Sequence, residues 1–546
     1  MKGLMQDWPL SVTTIIDHAA RFHGEREVVT RTVEGPFHTT NYKEIHLRAR
    51  KVAQALEKIG AKQGDIIATM AWNTHRHLEA WYGIMGMGAV CHTLNPRLFA
   101  EQLVYIANHA EDQFILVDLT FVPVLEAVAD QLKTVKGYII MTDRAHMPET
   151  TLKNVHCYEE IVEAESGDYK WATIDENDAC GLCYTSGTTG NPKGVLYSHR
   201  SNVLHALIGG SADVMGLRSV DVVLPVVPMF HANAWALAFS APMAGAKLVM
   251  PGSKMDGESI YELLDNEKIT TTAAVPTVWL MLLQHLQKTG AKLPALNKVI
   301  IGGSAAPRTM IETFEREYGA EVIHAWGMTE MSPMGTLGAL KAGMEDLTTE
   351  QLLDVKVKQG RAVYTVEMKI TDDDGVELPW DGKAFGPLLV KGPAVAGSYL
   401  KSEGGNILDA DGWFDTGDVA TIDENGYMQI TDRAKDVIKS GGEWISSIEL
   451  ENTAVGHPDV AEAAVIGIVH PKWDERPLLI CVAAEGKNPT KEDLLSYLEG
   501  KIAKWWTPDD VVFVDEIPHN ATGKILKRAL REQFKDYVLP TASAAE

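Results

Sequence analysis

Apolar and polar residues alternate along the first part of the chain, to about residue 430, in a way that favours a layered α/β protein. Short β-branched runs are followed by amphipathic stretches, as at 270–276 (TTTAAVP), after which VWLMLLQHL follows. This order predicts βα units and a largely parallel sheet. Three further apolar runs end in glycine-containing turns, at 179–187, 298–303 and 321–327. Because ligands bind at the carboxyl ends of strands in open α/β sheets, we expect a ligand site at these turns.

The pattern changes twice toward the C terminus. After Asp381, strand-like pieces rich in glycine and proline, such as KAFGPLLVKGPAVAGSYL, predict a small β-rich subdomain. From about residue 432, a new alternation of helical and strand patterns predicts a compact α+β unit. Its predicted elements are helix 446–455, strand 461–469, strand 478–484, helix 491–505, strand 511–517 and helix 525–534. We therefore predict a large N-terminal domain of βα sheets at 1–432 and a smaller C-terminal domain at 433–546.

Composition narrows the class of protein. The 546 residues are 45% hydrophobic and 23% charged, which is typical of a soluble globular protein. A net charge of −24 disfavours nucleic acid and anionic membranes as partners. The chain lacks a run of about eighteen apolar residues, so we expect no stable membrane insertion. The first residues lack the features of a secretory signal and the five cysteines are scattered, which favours the cytoplasm.

The segment 184–194, YTSGTTGNPKG, carries the sharpest chemical signal. Its glycines allow successive backbone N–H groups to converge on a phosphate, and its hydroxyls and Lys193 add donors and charge. The segment follows a predicted strand, as a phosphate loop should. It departs from the Walker A pattern, because Pro192 and Gly194 stand where that pattern has glycine and Ser or Thr. The alternative is a solvated surface turn.

This loop resembles the signature of the adenylate-forming enzymes, which include acyl-CoA synthetases, adenylation domains of peptide synthetases and beetle luciferases. Further motifs of that family follow in order: PMFHANAW at 228–235, GGSAAP at 302–307, HAWGMTE at 324–330, GWFDTGD at 412–418, DRAKDVIKSGGEW at 432–444 and NATGK at 520–524. The resemblance implies that ATP and a carboxylic acid form an acyl adenylate with release of pyrophosphate. A mobile C-terminal domain then rotates, and a thiol, usually coenzyme A, displaces AMP.

The resemblance assigns a role to each motif on the phosphate side of the site. Seven residues would bind the β- and γ-phosphates: Thr185, Ser186, Gly187, Thr188, Thr189, Gly190 and Lys193. Thr329 would contact the α-phosphate, and Glu330 would bind Mg²⁺, which prefers carboxylate and phosphate oxygens. The alternative for Glu330 is one more solvated acid among 74.

The nucleoside is expected between two further motifs. Asp418 would accept both ribose hydroxyls and Arg433 would contact ribose or phosphate, although Asp418 could instead cap a turn. Trp326 stands where the family usually has tyrosine against adenine, with a buried core tryptophan as the alternative. The remaining residues assigned to ATP or AMP are Gly303, Ser304, Ala305 and Gly327.

The C-terminal motifs are expected to serve the two half-reactions in turn. Lys524 resembles the catalytic lysine that bridges the substrate carboxylate and the α-phosphate, where the alternative is a solvated lysine. Lys435 occupies the family's hinge position. The coenzyme A segment would comprise Lys439, Ser440, Gly441, Gly442, Glu443 and Trp444, whose alternative is a plain turn into a helix. The basic tract 524–535 would either meet the 3′-phosphate of coenzyme A or form a solvated face.

The motif at 228–235 indicates which class of carboxylic acid the site would accept. Phe230 is followed by His231, whereas amino-acid-activating relatives have an aspartate there, so an α-amino acid is disfavoured. By resemblance His231 borders the acyl pocket and thiol tunnel, with an ordinary core histidine as the alternative. Trp235 should shorten the cavity, which Gly302 and Pro333 also border, so short or medium chains are favoured.

In detail, HAWGMTEMSP and IKSGGEWISSIE look most like bacterial short/medium-chain ligases of the 3-methylmercaptopropionate–CoA ligase type. Four rival functions stay open: a general medium-chain ligase, an enzyme that loads a carrier protein, a luciferase-like oxygenase, and a non-catalytic nucleotide-binding protein. The spacing of Cys180 and Cys183 would also suit a metal, but no second pair accompanies them. The oligomeric state stays open between a monomer and a homodimer.

Overall fold

The computed structural model describes residues 1, 3–185, 191–372, 374–441, 443–519 and 524–542, with backbone alone at 443–444. This part of the chain contains four β-sheets and fifteen α-helices. None of the helices in the described part combines the length and the apolar character that crossing a bilayer requires.

The strands of the described residues are, in chain order, β1 Glu27–Arg31, β2 Phe37–Asn41, β3 Ile66–Met70, β4 Val90–Thr93, β5 Phe114–Val117, β6 Gly137–Ile140, β7 Val155–Cys157, β8 Ala179–Tyr184, β9 Gly194–Ser198, β10 Val222–Pro225, β11 Lys247–Met250, β12 Thr271–Ala274, β13 Lys298–Ile301, β14 Glu321–Gly327, β15 Met334–Leu337, β16 Arg361–Ala362, β17 Glu367–Ile370, β18 Phe385–Lys391, β19 Phe414–Ile422, β20 Met428–Arg433, β21 Ile438–Ser440, β22 Glu443–Ile445, β23 Val460–His470, β24 Asp474–Ala483 and β25 Asp510–Phe513.

The helices are α1 Thr13–Phe22, α2 Tyr42–Lys58, α3 His75–Gly86, α4 Ala100–Ala110, α5 Val122–Glu126, α6 Tyr158–Glu163, α7 His199–Gly209, α8 Leu237–Ala244, α9 Gly257–Asn266, α10 Pro276–Thr289, α11 Arg308–Glu317, α12 Thr349–Lys356, α13 Ser447–Val455, α14 Lys491–Leu498 and α15 Lys527–Gln533. Local chemistry explains several starts. Ser198 caps α7 by accepting the N–H of Ser201, and Pro276 stands in the first turn of α10, where no helical N–H partner is lost.

The N-terminal part holds two large sheets. One has nine strands in the order β16-β15-β14-β13-β12-β10-β11-β1-β2, and the other has seven in the order β7-β6-β5-β3-β4-β8-β9. A single apolar cluster contains residues from both sheets, such as Ile67 and Val223, so the two sheets share a core. Helix α3 belongs to this core and is buried along its whole length.

Both sheets are parallel in their middle and antiparallel at edges. In the nine-stranded sheet, β2 pairs antiparallel with β1, and β14, β15 and β16 pair antiparallel with one another. In the seven-stranded sheet, β8 pairs antiparallel with β9. The predicted parallel sheet is thus two mixed sheets, because short connections after β1, β8 and β14 return the chain as hairpins.

Two smaller sheets follow. The four-stranded sheet β17-β18-β19-β20 corresponds to the predicted β-rich subdomain and ends at Arg433. It begins earlier than predicted, because β17 lies before Asp381. The last sheet comprises β22-β21-β24-β23 with β25 beside β24, and helices α13, α14 and α15 accompany it. The prediction of a mixed α/β protein with a smaller α+β unit at its C terminus is confirmed.

Some predicted bounds in this last unit were wrong. The helix expected at 491–505 ends at Leu498, because Glu499 is extended and Gly500 adopts a φ of +75°. A separate 3₁₀ turn follows at Lys504–Trp506. The strand expected at 511–517 ends at Phe513, and the helix expected from 525 begins at Lys527.

Candidate functional site

The candidate site lies where several strands end. The predicted phosphate loop follows β8, the 302–305 segment follows β13, and the 328–330 segment follows β14. Strands β12, β13 and β14 are parallel neighbours, so their carboxyl ends meet at one edge of the nine-stranded sheet. This is the edge at which ligands bind in open α/β sheets, as the glycine-containing turns predicted.

The two ends of the phosphate loop are tied together. The Thr185 N–H donates to the Lys193 carbonyl at 2.9 Å, and the Lys193 N–H donates to Thr185 Oγ1 at 3.4 Å. The Lys193 ammonium lies 4.9 Å from the centre of the Tyr399 ring. The predicted residues between these ends, Ser186, Gly187, Thr188, Thr189 and Gly190, lie outside the described residues.

Two tyrosines hold the segment that carries Thr329 and Glu330. The Tyr197 hydroxyl donates to the Thr329 carbonyl at 2.7 Å, and the Tyr399 hydroxyl donates to Glu330 Oε1 at 2.7 Å. Burial, and secondly the charge of Glu330, raise the pKa of Tyr399, so its hydroxyl stays a proton donor. Glu330 is only 6% exposed, so it is not the solvated acid of the alternative interpretation.

The donor set at Glu330 fits a magnesium ion that shares its coordination with a nucleotide. Among the described residues, no three His, Cys, Asp or Glu side chains are grouped to hold a metal. Mg²⁺ in ATP-dependent enzymes is commonly held by one or two carboxylates together with the substrate phosphates. A single carboxylate oriented by a tyrosine satisfies that requirement, whereas an all-protein metal cage would not be expected here.

Gly327 allows the chain to fold back tightly at the end of β14. A Cβ atom at this position would lie 2.0 Å from the Pro333 carbonyl oxygen, so any side chain would clash. The Met328 N–H donates to the same oxygen at 2.9 Å. This close approach brings Pro333, predicted to border the acyl pocket, next to the segment predicted to bind the nucleotide.

Asp418 lies within β19 and faces two partners. Trp326 Nε1 donates to Asp418 Oδ2 at 2.9 Å, and Arg433 Nε lies 2.8 Å from Asp418 Oδ1 across the β19–β20 pair. Burial raises the pKa of Asp418, while Arg433, the Trp326 hydrogen bond and Lys524 oppose that rise. The alternative of a turn-capping aspartate does not describe this position.

Trp326 has features of both a core tryptophan and a residue of the nucleotide site. Its side chain is buried among apolar residues that include Met331 and Phe414, and it packs against Gly335, as a core tryptophan would. Its indole N–H nevertheless orients the carboxylate of Asp418. Contact with adenine stays a prediction. Sequence reasoning did not foresee the hydrogen bond, because 92 residues separate the two side chains.

Trp235 lies against the glycines that follow β13. A Cβ atom at Gly302 would lie 3.1 Å from Cη2 of the indole, and one at Gly303 would lie 3.9 Å from Cζ2. Gly303 has a φ of +82°, a conformation that favours glycine. Ser304 beside it is exposed and Ala305 is partly exposed, which leaves this segment open to a ligand.

His231 and Lys524 approach each other although 293 positions of sequence divide them. Desolvation, and secondly the positive charge of Lys524, lower the pKa of His231 to about 4, so its imidazole is neutral at pH 7. His231 also lines a small cavity together with Tyr184 and Thr185 at the start of the phosphate loop. This setting differs from that of an ordinary core histidine.

Lys524 belongs to the C-terminal unit but reaches the site on the N-terminal part. Desolvation and then the charge of Arg433 lower its pKa to about 8, while Asp418 and Glu330 oppose that change. These interactions place the ammonium group among the side chains predicted to bind ribose, phosphate and Mg²⁺. The alternative of a solvated lysine therefore does not describe Lys524.

Comparison with known proteins identifies the family. The family model described as AMP-binding enzyme matches residues 16–400, and the model of the AMP-binding enzyme C-terminal domain matches residues 449–524. The chain belongs to the AMP-binding enzyme family. The adenylate-forming family predicted from the motifs is thereby confirmed, and so is the prediction of an AMP-forming ligase.

Full-length relatives of this AMP-binding enzyme are named as CoA ligases. A 3-methylmercaptopropionyl-CoA ligase of Ruegeria lacuscaerulensis is 51% identical, with 98% of this chain and 99% of the relative covered. A medium-chain-fatty-acid–CoA ligase of Ectopseudomonas oleovorans is 48% identical over the whole of both chains. A long-chain-fatty-acid–CoA ligase of Thermus thermophilus is 47% identical, with 98% and 97% covered.

Solved structures of the same fold include ATP-bound MatB from Rhodopseudomonas palustris. It matches with a TM-score of 0.80 and 26% identity, covering 96% of this chain and 99% of MatB. The anthranilate CoA ligase AuaEII in complex with anthranoyl-AMP matches with a TM-score of 0.85 at 24% identity, covering 97% and 99% of the two chains. The latter likeness concerns the fold alone.

The predicted coenzyme A segment lies elsewhere in this AMP-binding enzyme. The Lys439 N–H donates to Glu475 Oε2 at 3.0 Å, Arg476 Nη1 donates to Ser440 Oγ at 3.2 Å, and the Gly441 N–H donates to the Trp473 carbonyl at 2.8 Å. These partners all belong to the last sheet and its loops. Gly442 and the side chains of Glu443 and Trp444 lie outside what the structure describes.

The other C-terminal predictions meet mixed outcomes. Lys435 follows β20, and its carbonyl accepts from Arg531 Nη2 at 3.3 Å. In the basic tract, Lys527 is paired with Glu451 at 2.7 Å, and Arg531 is paired with Asp436. The tract is thus not one solvated face, because Lys527 and Arg531 are paired with carboxylates outside the tract.

The cysteine pair is divided between two surroundings. Cys180 Sγ accepts from Asn202 Nδ2 at 3.2 Å, whereas Cys183 Sγ lies 3.1 Å from Thr93 Oγ1. Desolvation raises the pKa of both buried thiols. The two side chains of this pair therefore have separate polar partners.

Proposed function

We propose that the protein is an ATP-dependent acid–thiol ligase that activates a short or medium-chain carboxylic acid as acyl-AMP and then transfers the acyl group to coenzyme A. One observation carries this proposal: Lys524, from the C-terminal unit, lies within electrostatic reach of Asp418, Glu330 and His231 on the N-terminal part. In this arrangement the protein is set for formation of the acyl adenylate. The division into domains at 1–432 and 433–546 belongs to the same proposal.

In the first half-reaction, two anions must meet. A carboxylate oxygen of the acid attacks the α-phosphorus of ATP, and the bond from that phosphorus to the departing pyrophosphate breaks. Lys524 contacts both the carboxylate and the α-phosphate, and its cation stabilises the charge that spreads over the transferring oxygens. Because its pKa is about 8, most molecules carry the cation at pH 7.

The phosphate side of the site positions the leaving group. Lys193 and the loop from Thr185 to Gly190 hold the β- and γ-phosphates, and Thr329 contacts the α-phosphate. Magnesium bound at Glu330 would supply positive charge that offsets the negative charge of the phosphates. The hydrogen bond from Tyr399 keeps the Glu330 carboxylate in one orientation for that purpose.

The nucleoside side fixes AMP during both half-reactions. Asp418 accepts the ribose hydroxyls, and Trp326 holds its carboxylate in place through Oδ2. Arg433 contacts ribose or phosphate. Adenine lies between Trp326 and Gly327 on one side and the backbone of Gly303 to Ala305 on the other.

We assign 3-methylmercaptopropionate as the preferred acid, with a general medium-chain acid as the alternative. Support comes from the indole of Trp235, which lies on Gly302 and takes space that a longer chain would need. His231, neutral and partly buried, borders the same space. Two of the three full-length relatives are named for 3-methylmercaptopropionate or medium-chain acids, and the third is named for long-chain acids.

The second half-reaction requires a different face of the C-terminal unit. Lys435 acts as the hinge, and rotation about it withdraws Lys524. The segment from Lys439 to Trp444 then lines the path by which the thiol of coenzyme A reaches the acyl carbon. The thiol loses its proton to water and the sulfur–carbon bond forms. The bond from that carbon to the AMP oxygen then breaks, and AMP leaves.

An acid panel tests this function. The purified enzyme is given ATP, Mg²⁺ and 3-methylmercaptopropionate or one straight-chain acid from acetate to dodecanoate, with and without coenzyme A, and both AMP and thioester are followed. We expect the highest kcat/KM among acids no longer than octanoate, and thioester only with coenzyme A. Strong activity confined to acids longer than decanoate would contradict the role of Trp235. AMP formation without thioester in the presence of coenzyme A would contradict the ligase.

A further inference from the structure

The turn that carries Trp235 has an unusual backbone. All five residues of the segment Ala232–Ala236 have positive φ angles, between 44° and 64°, and none of them is glycine. L-amino acids disfavour this left-handed conformation because Cβ crowds the following carbonyl oxygen. Asparagine tolerates it better than alanine or tryptophan does. Contacts from outside the turn must therefore hold it.

Those contacts come from helix α7 and strand β8. Asn233 Nδ2 donates to Asn202 Oδ1 at 3.2 Å, and Asn202 Nδ2 donates to Cys180 Sγ at 3.2 Å. The backbone of Ala232 and Asn233 lies near the Cys183 thiol and opposes the rise in its pKa that burial causes. The side chains of Asn202 and Asn233 are 1% and 2% exposed. Buried amides that pair in this way are costly to disrupt, because a lost partner leaves a polar group unsatisfied.

Helix α7 also holds the opposite wall of the same region. His205, three residues after Asn202 on one face of the helix, accepts the Met334 N–H at Nε2 with a distance of 2.8 Å. Met334 follows Pro333, which is predicted to border the acyl pocket. The helix begins directly after β9, the strand that leaves the phosphate loop. One helix thus connects the phosphate loop to both walls.

We propose that Asn202 is a positioning residue that sets the chain-length limit of the acyl pocket, by holding Asn233 and with it the left-handed turn that lays Trp235 on Gly302. This inference rests on the proposed function, since it assumes that Trp235 limits the acid. Asn202 is not assigned any contact with a substrate. Its effect should appear in the choice between acids and not in the handling of ATP.

The test compares kcat and KM for butyrate and octanoate in the parent enzyme and in Asn202→Ala. We expect the ratio of kcat/KM for octanoate to that for butyrate to rise about tenfold, mainly through the KM of the acids, with the KM of ATP within about twofold. Ser201→Ala is the matched control. Its hydroxyl donates to the carbonyl of Ser198, the residue that caps the same helix, and the ratio should stay unchanged.

A second variant separates positioning from general packing. Asn233→Gly removes the amide but leaves a residue that adopts positive φ readily, so it tests the tether even if Asn202→Ala folds poorly. If Asn202 acts through Asn233, the double variant should change the ratio no more than Asn202→Ala alone. An unchanged ratio in both single variants, or fully additive changes in the double variant, would overturn the inference. If the parent forms no thioester with any acid, the proposed function fails, and the inference falls with it for that separate reason.

Discussion

The two ends of the C-terminal unit differ in what they contact. Lys524, near one end, lies among Asp418, Glu330 and Arg433 of the candidate site. The hairpin of β21 and β22, at the other end, is tied to its own sheet through Ser440 and Gly441. Under the proposed function, this difference means that one orientation of the unit would serve only one half-reaction. The end that carries Lys524 would serve formation of the adenylate, and the hairpin would serve the thioester step only after rotation.

The largest effect should follow loss of the Lys524 cation. Lys524→Ala should slow acid-dependent pyrophosphate release about 10²- to 10³-fold, since a preorganised charge next to the reacting oxygens is lost. Lys535→Ala serves as the control, because this exposed lysine is paired with Glu532. Pyrophosphate release by a coupled assay is the measurement. A loss below about threefold would contradict the role of Lys524 and with it the contrast between the two ends.

A change at the hinge should produce the opposite pattern. Lys435→Pro fixes φ at this residue, so it should retain pyrophosphate release within about threefold but slow thioester formation roughly a hundredfold. Lys435→Ala leaves φ free and should retain both activities. Equal loss of both half-reactions in the proline variant, with the alanine variant intact, would show that rotation about Lys435 is not what separates them.

A change on the nucleoside side should affect both half-reactions. Trp326→Phe keeps the apolar packing but removes the N–H that donates to Asp418. Hydrogen bonds to charged groups contribute about 1.5–3 kcal/mol, so we expect the KM of ATP to rise about tenfold or more. The binding of AMP should weaken by a similar factor. Unchanged binding of both ATP and AMP would contradict the role of Asp418 in binding ribose. That conclusion would not depend on which end of the C-terminal unit lies in the site.

The smallest effect concerns pH. Lys524 has a pKa lowered from 10.5 to about 8, so its cation is present below that pH and is lost above it. In the free enzyme, kcat/KM for the acid in pyrophosphate release should therefore fall as the pH rises through about 8. Thioester formation from supplied acyl adenylate should lack this decline. If both reactions declined in the same way above pH 8, the decline would be due to a group other than Lys524.

Much of the site could be predicted because its chemistry is local in the sequence. The phosphate loop, the Thr329–Glu330 pair and the Lys524 motif each lie within a few consecutive residues. The first two follow strand ends, and the C-terminal unit brings Lys524 near the second. The two tyrosines that orient this pair gave no such signal. Tyr197 and Tyr399 lie 132 and 69 residues from their partners, so only the folded chain reveals the contacts.

Three further features of the fold were not predicted from the sequence: the left-handed turn at 232–236, the strand composition of the two large sheets and the end of helix α14. The letters ANAWA alone do not predict a left-handed turn, because the hydrogen bond that holds Asn233 comes from Asn202, which lies in α7. The assignment of individual strands to one or the other of the two large sheets was not predicted, since apolar strands look alike whichever sheet they join. The predicted bounds of helix α14 reach too far, to residue 505. The apolar pattern continues past Gly500, but the backbone turns there.

The central claim is that Lys524 serves adenylation alone, and supplying the intermediate tests it most directly. The Lys524→Ala enzyme is given synthetic acyl adenylate and coenzyme A, and the rate of thioester formation is compared with that of the parent. The account predicts a rate within about threefold of the parent, since the lysine withdraws with its domain before the thiol arrives. A loss as large as that seen in pyrophosphate release would contradict it.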